Sequence, residues 1–255
     1  MYRFAWLAVF ALLWCPRSAA AQGDPPAPPP QSSRRDFLFE VPKGSFSVRW
    51  TTNVLNANSD WFGFVRDQLT LGHGDFVSMG IAGDVSIGVT PRFDVVISGD
   101  FTGRDVLSEY RDFVDNNRLP IEQRTRIRQM SLTGGVRYTL LPRGRSVSSL
   151  AYVPTRLVPY VGGGGGVLHY SLLQYGDFID IVDYSVFSDQ LPSEGWTPTA
   201  YVNGGLDWLL VRKLAVTFDV RYQVAAPELD ESAWTGFEPL ELNGVRISTG
   251  IRILF

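Results

Sequence analysis

A single cysteine, Cys15, occurs among the 255 residues, and it falls in an N-terminal stretch with the pattern of a secretory signal peptide. Arg3 precedes the apolar run from Phe4 to Trp14, and "CPRSAAAQG" supplies small residues at the cleavage site. The expected signal is 1–21, with Ala19 and Ala21 at −3 and −1. An acylated Cys15 is disfavoured, because Trp14 stands where a small residue is needed and Pro16 follows. With the signal removed the chain has no thiol, so no disulfide staples an exported protein. Long apolar runs are missing as well. After residue 21 an Asp, Arg or Gly interrupts every stretch before the roughly 18–20 residues a membrane-spanning helix needs, which excludes a helical membrane protein. A basic excess is also absent. Losing Arg3 and Arg17 turns 23 basic against 26 acidic residues into 21 against 26, and nothing suggests nucleic acid. The two histidines, His73 and His169, have no Cys or His companions at metal-ligand spacing, so neither metal nor cofactor is expected.

What the chain has is alternation. In "LAVTFDVRYQV" (214–224), Leu214, Val216, Phe218, Val220, Tyr222 and Val224 share one parity, and Ala215, Thr217, Asp219, Arg221 and Gln223 the other, the period of a two-faced strand. The same rule holds for "SFSVRWTTNV" (45–54), "VSMGIAGDVSIGV" (77–89), "FDVVISGDFTGR" (93–104), "QMSLTGGVRYTL" (129–140), "TAYVNGGLDWLL" (199–210) and "NGVRISTGIRILF" (243–255). "YVGGGGGVLHYSL" (160–172) follows it more weakly, with Tyr160, Leu168, Tyr170 and Leu172 on the apolar parity and His169 and Ser171 inward. These are eight strands of about 10–13 residues. Globular strands average about 5–6, whereas about 9–11 are needed to cross a bilayer at a tilt. Before them, 22–42, rich in Pro, Ser and charge, reads as an extended periplasmic leader. The barrel domain is expected over 43–255.

The polar faces carry Arg49, Asp84, Asp94, Asp100, Arg104, Arg137, Asp207, Asp219, Arg221, Arg246 and Arg252 among Gly and Ser. Such residues suit a narrow polar lumen and would be wrong for a greasy ligand pocket. Connections alternate short and long, "TPRF" and "VRK" being short, as in transmembrane barrels with short periplasmic turns and longer external loops. The connection 141–157 is overlong for such a turn. Aromatics near strand ends (Trp50, Phe93, Phe101, Tyr138, Tyr160, Tyr170, Trp208, Tyr222, Phe255) are expected to form interfacial girdles. The expected fold is all-β, an eight-stranded antiparallel up-and-down transmembrane barrel, closed so that no unpaired edge meets hydrocarbon.

The ending "VRISTGIRILF", with Gly250, Ile251, Ile253 and Phe255, looks like the C-terminal signal read by the bacterial barrel-assembly machinery. With "VPYVGGGGGVLHY" and "DWLLVRKLAVTFDVRYQ", it resembles the small eight-stranded outer-membrane barrels of the OmpA and OmpX type, over roughly 43–255. The resemblance implies a bacterial outer-membrane location with both termini periplasmic, contacts with lipid and lipopolysaccharide, and a monomer. Peptidoglycan anchoring is not implied.

Fold does not give function. The leading expectation is a non-enzymatic protein serving envelope integrity and surface interaction through four external loops. Alternatives are a narrow channel for small or amphipathic solutes and, more distantly, a lipid A-modifying enzyme using a His with Ser and an acid. The lumen charges are expected to pair across a plugged interior. "GGGGG" (162–166) lacks the Lys-Ser/Thr of a phosphate loop and reads as a sharp bend or as room for neighbours. Loops 173–198 and 225–243 are acidic without a base, and read as solvated rather than cation-binding. Their aromatics Phe178, Tyr184, Phe187, Trp196, Trp234 and Phe237, with Trp61, Phe62 and Phe64 of the first loop, are expected to pack loop on loop.

Overall fold

A computed structural model describes residues 38, 41–115, 118–148, 151–180 and 185–255. The expected signal peptide with Cys15, most of the leader, Asp183 and Tyr184 lie outside the described residues. Ten strands form: β1 (Gly44–Leu55), β2 (Ser78–Gly88), β3 (Phe93–Val114), β4 (Pro120–Thr139), β5 (Gly144–Ser148), β6 (Ala151–Pro154), β7 (Leu157–Ile179), β8 (Val186–Val211), β9 (Leu214–Val224) and β10 (Gly244–Leu254). Eight of them close a barrel in the order β1-β10-β9-β8-β7-β4-β3-β2, and β5-β6 is a separate hairpin. All pairings are antiparallel, and β1 meets β10 from Ser45↔Leu254 to Leu55↔Gly244. Closure leaves the eight-stranded wall without a free strand edge, the condition for crossing hydrocarbon with strands.

The period-two pattern sorts the side chains. Phe46, Val48 and Trp50 of β1, Val95 and Ile97 of β3, and Phe218 and Val220 of β9 are exposed on the outer wall, while Ser47, Arg49, Ser98 and Asp219 are buried inside. In water so broad an apolar surface would drive association; in lipid it is the solvated face.

Strand β7 departs from expectation. Tyr160, Leu168, Tyr170 and Leu172 are buried inward, and Val161, Val167 and His169 face outward, so the expected parity is reversed and Tyr160 and Tyr170 belong to no girdle. Strand length is the second departure. β3, β4, β7 and β8 run 22, 20, 23 and 26 residues, so most of the expected loop 173–198 is a two-stranded extension. On β4 the outer face changes from Leu132 and Met130 to Arg128, Arg126 and Arg124, which marks where the apolar band stops.

The overlong connection is the β5-β6 hairpin. Its base is closed by Thr155 N–H donating to the Arg143 carbonyl (2.7 Å) and by the Thr155 hydroxyl donating to the Pro142 carbonyl (2.8 Å). Buried Tyr152 exchanges two backbone hydrogen bonds with Leu38, 2.7 and 2.8 Å. Leu38, within the expected leader, thus pairs with the hairpin.

Candidate functional site

The inward parity brings ten of the eleven predicted charged residues into one lumen, five of each sign. At the short-turn end Asp94 accepts from Arg137 (2.8 Å) and from Arg143 of the connection (2.6 Å). Arg137 also donates to the Ser86 hydroxyl at 3.0 Å. Arg252 lies 3.2 Å from Asp207 and 3.5 Å from Asp84. Asp84 in turn pairs with Arg49 (2.9 Å) and accepts from the Ser47 hydroxyl (2.7 Å). Further up, Asp219 accepts from the Tyr160 hydroxyl (3.0 Å) and the Asn203 amide (2.7 Å). Arg221 donates to the Ser98 hydroxyl (3.3 Å) and lies 4.1 Å over the Tyr201 ring. The top storey is Arg246 paired with Asp100, with Gln129 accepting from Arg246 at 2.9 Å and from Asn53 at 3.3 Å. An unpaired ion here would cost several kcal/mol, and cross-strand pairing offsets that cost.

Arg104 does not join them. It is exposed at the rim and donates to the Asp75 carbonyl at 3.2 Å, because β3 has by then risen past the lumen. Two participants went unpredicted: Arg143, hidden in the connection, and Tyr160, whose apolar ring had set it on the lipid-facing parity; Tyr201 and Gln129 share the inward parity of the expected charges.

Glycine makes room for the tyrosines. A Cβ on Gly205 would collide with the Tyr160 ring and hydroxyl, and one on Gly135 would come within 2.5 Å of the Tyr201 hydroxyl. Gly164 and Gly166 face inward where a Cβ would strike the backbone of β4, so the "GGGGG" run lets two strands approach closely. The space left is small. A cavity of about 20 Å³ lies among Arg49, Asp84, Tyr160 and Arg221, room for about one water. Another of about 60 Å³ lies beneath it, against Tyr152 and Arg143.

Both ends are covered. Above the polar storeys, helix α1 (Asp60–Gln68) of the first loop lowers Trp61, Phe62 and Val65 into the mouth, all fully buried. They meet Leu229, Trp234, Leu240 and Leu242 of 225–243 and the inward Leu168, Tyr170 and Leu172 of β7. Trp61 packs edge to face with Phe62 (5.0 Å) and Trp234 (5.7 Å). Phe64, exposed, meets Phe237 at 5.5 Å. At the other end the β5-β6 hairpin covers the lower mouth through Tyr152 and the Arg143–Asp94 pair.

His169 and Ser171, expected inward, are on the outer wall. The His169 ring is 4.9 Å from Trp196, which is 62% exposed and is a wall residue rather than a loop-packing one. Ser171 is in register with Glu194 on β8 and with Arg128 on β4. His73 is in a 3-10 turn, His73–Phe76, in contact with Arg66. Of the C-terminal residues, Ile251, Ile253 and Phe255 are exposed on the apolar wall, and Gly250 faces inward, where a Cβ would meet β1 backbone. Phe178 and Phe187 stack 6.0 Å apart in the β7-β8 extension.

Eight strands, a closed wall, an apolar outer band and a polar filled interior define a transmembrane β-barrel of the small outer-membrane type. Several solved structures are similar to the chain in fold. Neisserial surface protein A is 9% identical, with 83% of this chain and 96% of that one covered at a TM-score of 0.44. Ail, the attachment invasion locus protein of Yersinia pestis, is 11% identical, with 83% and 99% covered at 0.42. The outer membrane protease OmpT of Escherichia coli is 10% identical, with 88% and 99% covered at 0.39. No protein-family model and no curated protein matches the chain.

Proposed function

We propose that the protein is a non-enzymatic barrel of the bacterial outer membrane, with both termini in the periplasm, that supports envelope integrity and meets partners through its external extensions. The observation that carries this reading is the double cap: paired charges fill the lumen, α1 with 225–243 covers one mouth, and the β5-β6 hairpin covers the other. A wall so filled has little room for a solute, which sets the channel alternative behind. The extensions of β3-β4 and β7-β8 beyond the apolar band offer surface instead. The short connections and the start of β1 and end of β10, which share one side of the barrel, support the periplasmic placement. Deleting the gene in its host should raise uptake of large antibiotics, with restoration by the full chain and not by one whose β3-β4 and β7-β8 extensions are cut to short turns. Restoration by the shortened chain would refute the role of the extensions.

A lipid A-modifying enzyme is the second reading, and one observation favours it. His169, Ser171 and Glu194 share the outer face of β7 and β8 at the end of the apolar band, with Arg128 beside Ser171. A nucleophile, a base, an acid and a cation there would face an acylated, phosphorylated lipid. Expression in a Gram-negative host should then alter the lipid A mass spectrum, and Ser171→Ala should abolish the change. An unaltered spectrum removes the reading.

A further inference from the structure

At the short-turn end, four separate stretches of chain converge on one side of the barrel. Leu209 N–H donates to the Arg156 carbonyl (2.7 Å), Leu254 N–H to the Lys213 carbonyl (2.8 Å) and Lys43 N–H to the Phe255 oxygen (2.8 Å). Between them runs an open groove of about 1450 Å³. Its wall is apolar and outward-facing, built on Trp208, Leu210, Val211 and Phe255, all exposed. Its rim is cationic: Lys43, Arg156, Arg212 and Lys213, with no Asp or Glu among the described lining residues. Beside them the Phe255 carbonyl oxygen accepts from the backbone N–H groups of Lys43 (2.8 Å) and Gly44 (3.0 Å).

Charge and position together restrict the occupant. The wall continues the lipid-facing surface of β8 and β10, so acyl chains are its natural solvent. Cations on long stems at such a border extend their heads to the phosphate level, and Trp208 occupies the interfacial depth that tryptophan favours. General snorkelling would scatter cations around the rim. Here four from three separate segments gather on one groove. We infer that this groove holds an anionic phospholipid of the leaflet at the short-turn end, its phosphate among Lys43, Arg156, Arg212 and Lys213 and its chains along Trp208, Leu210 and Phe255. The inference rests on the membrane-spanning reading of the barrel and needs neither of the proposed activities.

The test is native mass spectrometry of the refolded chain in detergent doped with equal phosphatidylglycerol and phosphatidylcholine. Folding is confirmed separately by heat-modifiable gel mobility. The wild type should retain phosphatidylglycerol over phosphatidylcholine by on the order of tenfold or more, since each basic side chain near a lipid surface contributes measurably. Lys43→Gln with Lys213→Gln should reduce the preference, and adding Arg156→Gln and Arg212→Gln should bring it to parity. Arg124→Gln with Arg126→Gln, cations of the opposite end, should leave it intact. A preference untouched by the fourfold variant, or lost equally in the Arg124/Arg126 variant, overturns the assignment. So does binding of inorganic phosphate without any preference between the lipids. A chain that fails the gel assay in every form would instead count against the membrane barrel itself.

Discussion

Replacing Trp61 by alanine should release the outer cap while leaving the barrel wall intact. Trp61 has 0% exposure, stands at the centre of the cap and touches Phe62 and Trp234 edge to face. Its indole N–H has no hydrogen-bond partner among the described residues, so the loss is one of packing. Truncating a buried tryptophan costs about 3–5 kcal/mol. Helix α1 has nine residues and cannot persist alone in water, so the cost falls on the cap as a unit. At about 1.4 kcal/mol per factor of ten, amide exchange in 60–68 and in the partner segment 225–243 should accelerate on the order of a hundred- to a thousand-fold. Exchange in β1, β9 and β10 should hold at wild-type rates. Hydrogen exchange read by mass spectrometry on the refolded protein separates the cases. Unchanged protection of α1, or loosening of wall and cap together, would refute the picture of a separate cap seated on a rigid wall.

Asp94→Ala removes the carboxylate that Arg137 and Arg143 share, leaving Arg137 only the Ser86 hydroxyl and Asp207 at 4.0 Å. Breaking a buried pair costs about 3–5 kcal/mol, and urea unfolding in detergent should show a loss of that order. Gly205→Ala forces a methyl against Tyr160 and should destabilise the barrel by about 1–3 kcal/mol, visible as a lower refolding yield and urea midpoint. Asp230 is held below the ordinary carboxylate range by hydrogen bonds from the Ser232 hydroxyl and N–H. A depressed native value means that its contribution is present above the unfolded value of about 3.9 and fades as pH falls through the native one. Amide protection in 225–243 should therefore be flat through neutral pH and weaken in acid, and Ser232→Ala should move the weakening to higher pH.

Much of the wall was legible because lipid outside and small polar groups inside impose a strict period of two. It failed on β7 for a physical reason. There the outer cap places an apolar core inside the barrel, so Leu168, Tyr170 and Leu172 point inward and the rule equating apolar with lipid-facing inverts. The glycines at 162–166 gave no side chain from which to fix the phase. The strand extensions were missed because their outer faces carry Arg124, Arg126 and Arg128, and apolar alternation stops where the lipid does. Lumen residues near mid-wall were readable from parity alone. Arg104 was not, since its strand rises beyond the lumen before reaching it, and Arg143 was not, since it enters from a hairpin outside the wall. Trp61, Phe62 and Trp234 packed loop on loop as their composition suggested.

The claim that the barrel is closed at both ends is tested most directly by single-channel recording in planar bilayers on the refolded chain lacking residues 1–21, at neutral pH and high salt. The wild type should be silent. Removing both caps, by Trp61→Ala with replacement of 143–155 by a short turn, should leave it silent, because the paired charges of the lumen remain in place. Reproducible steps from the wild type would contradict the account and move the narrow-channel reading to the front.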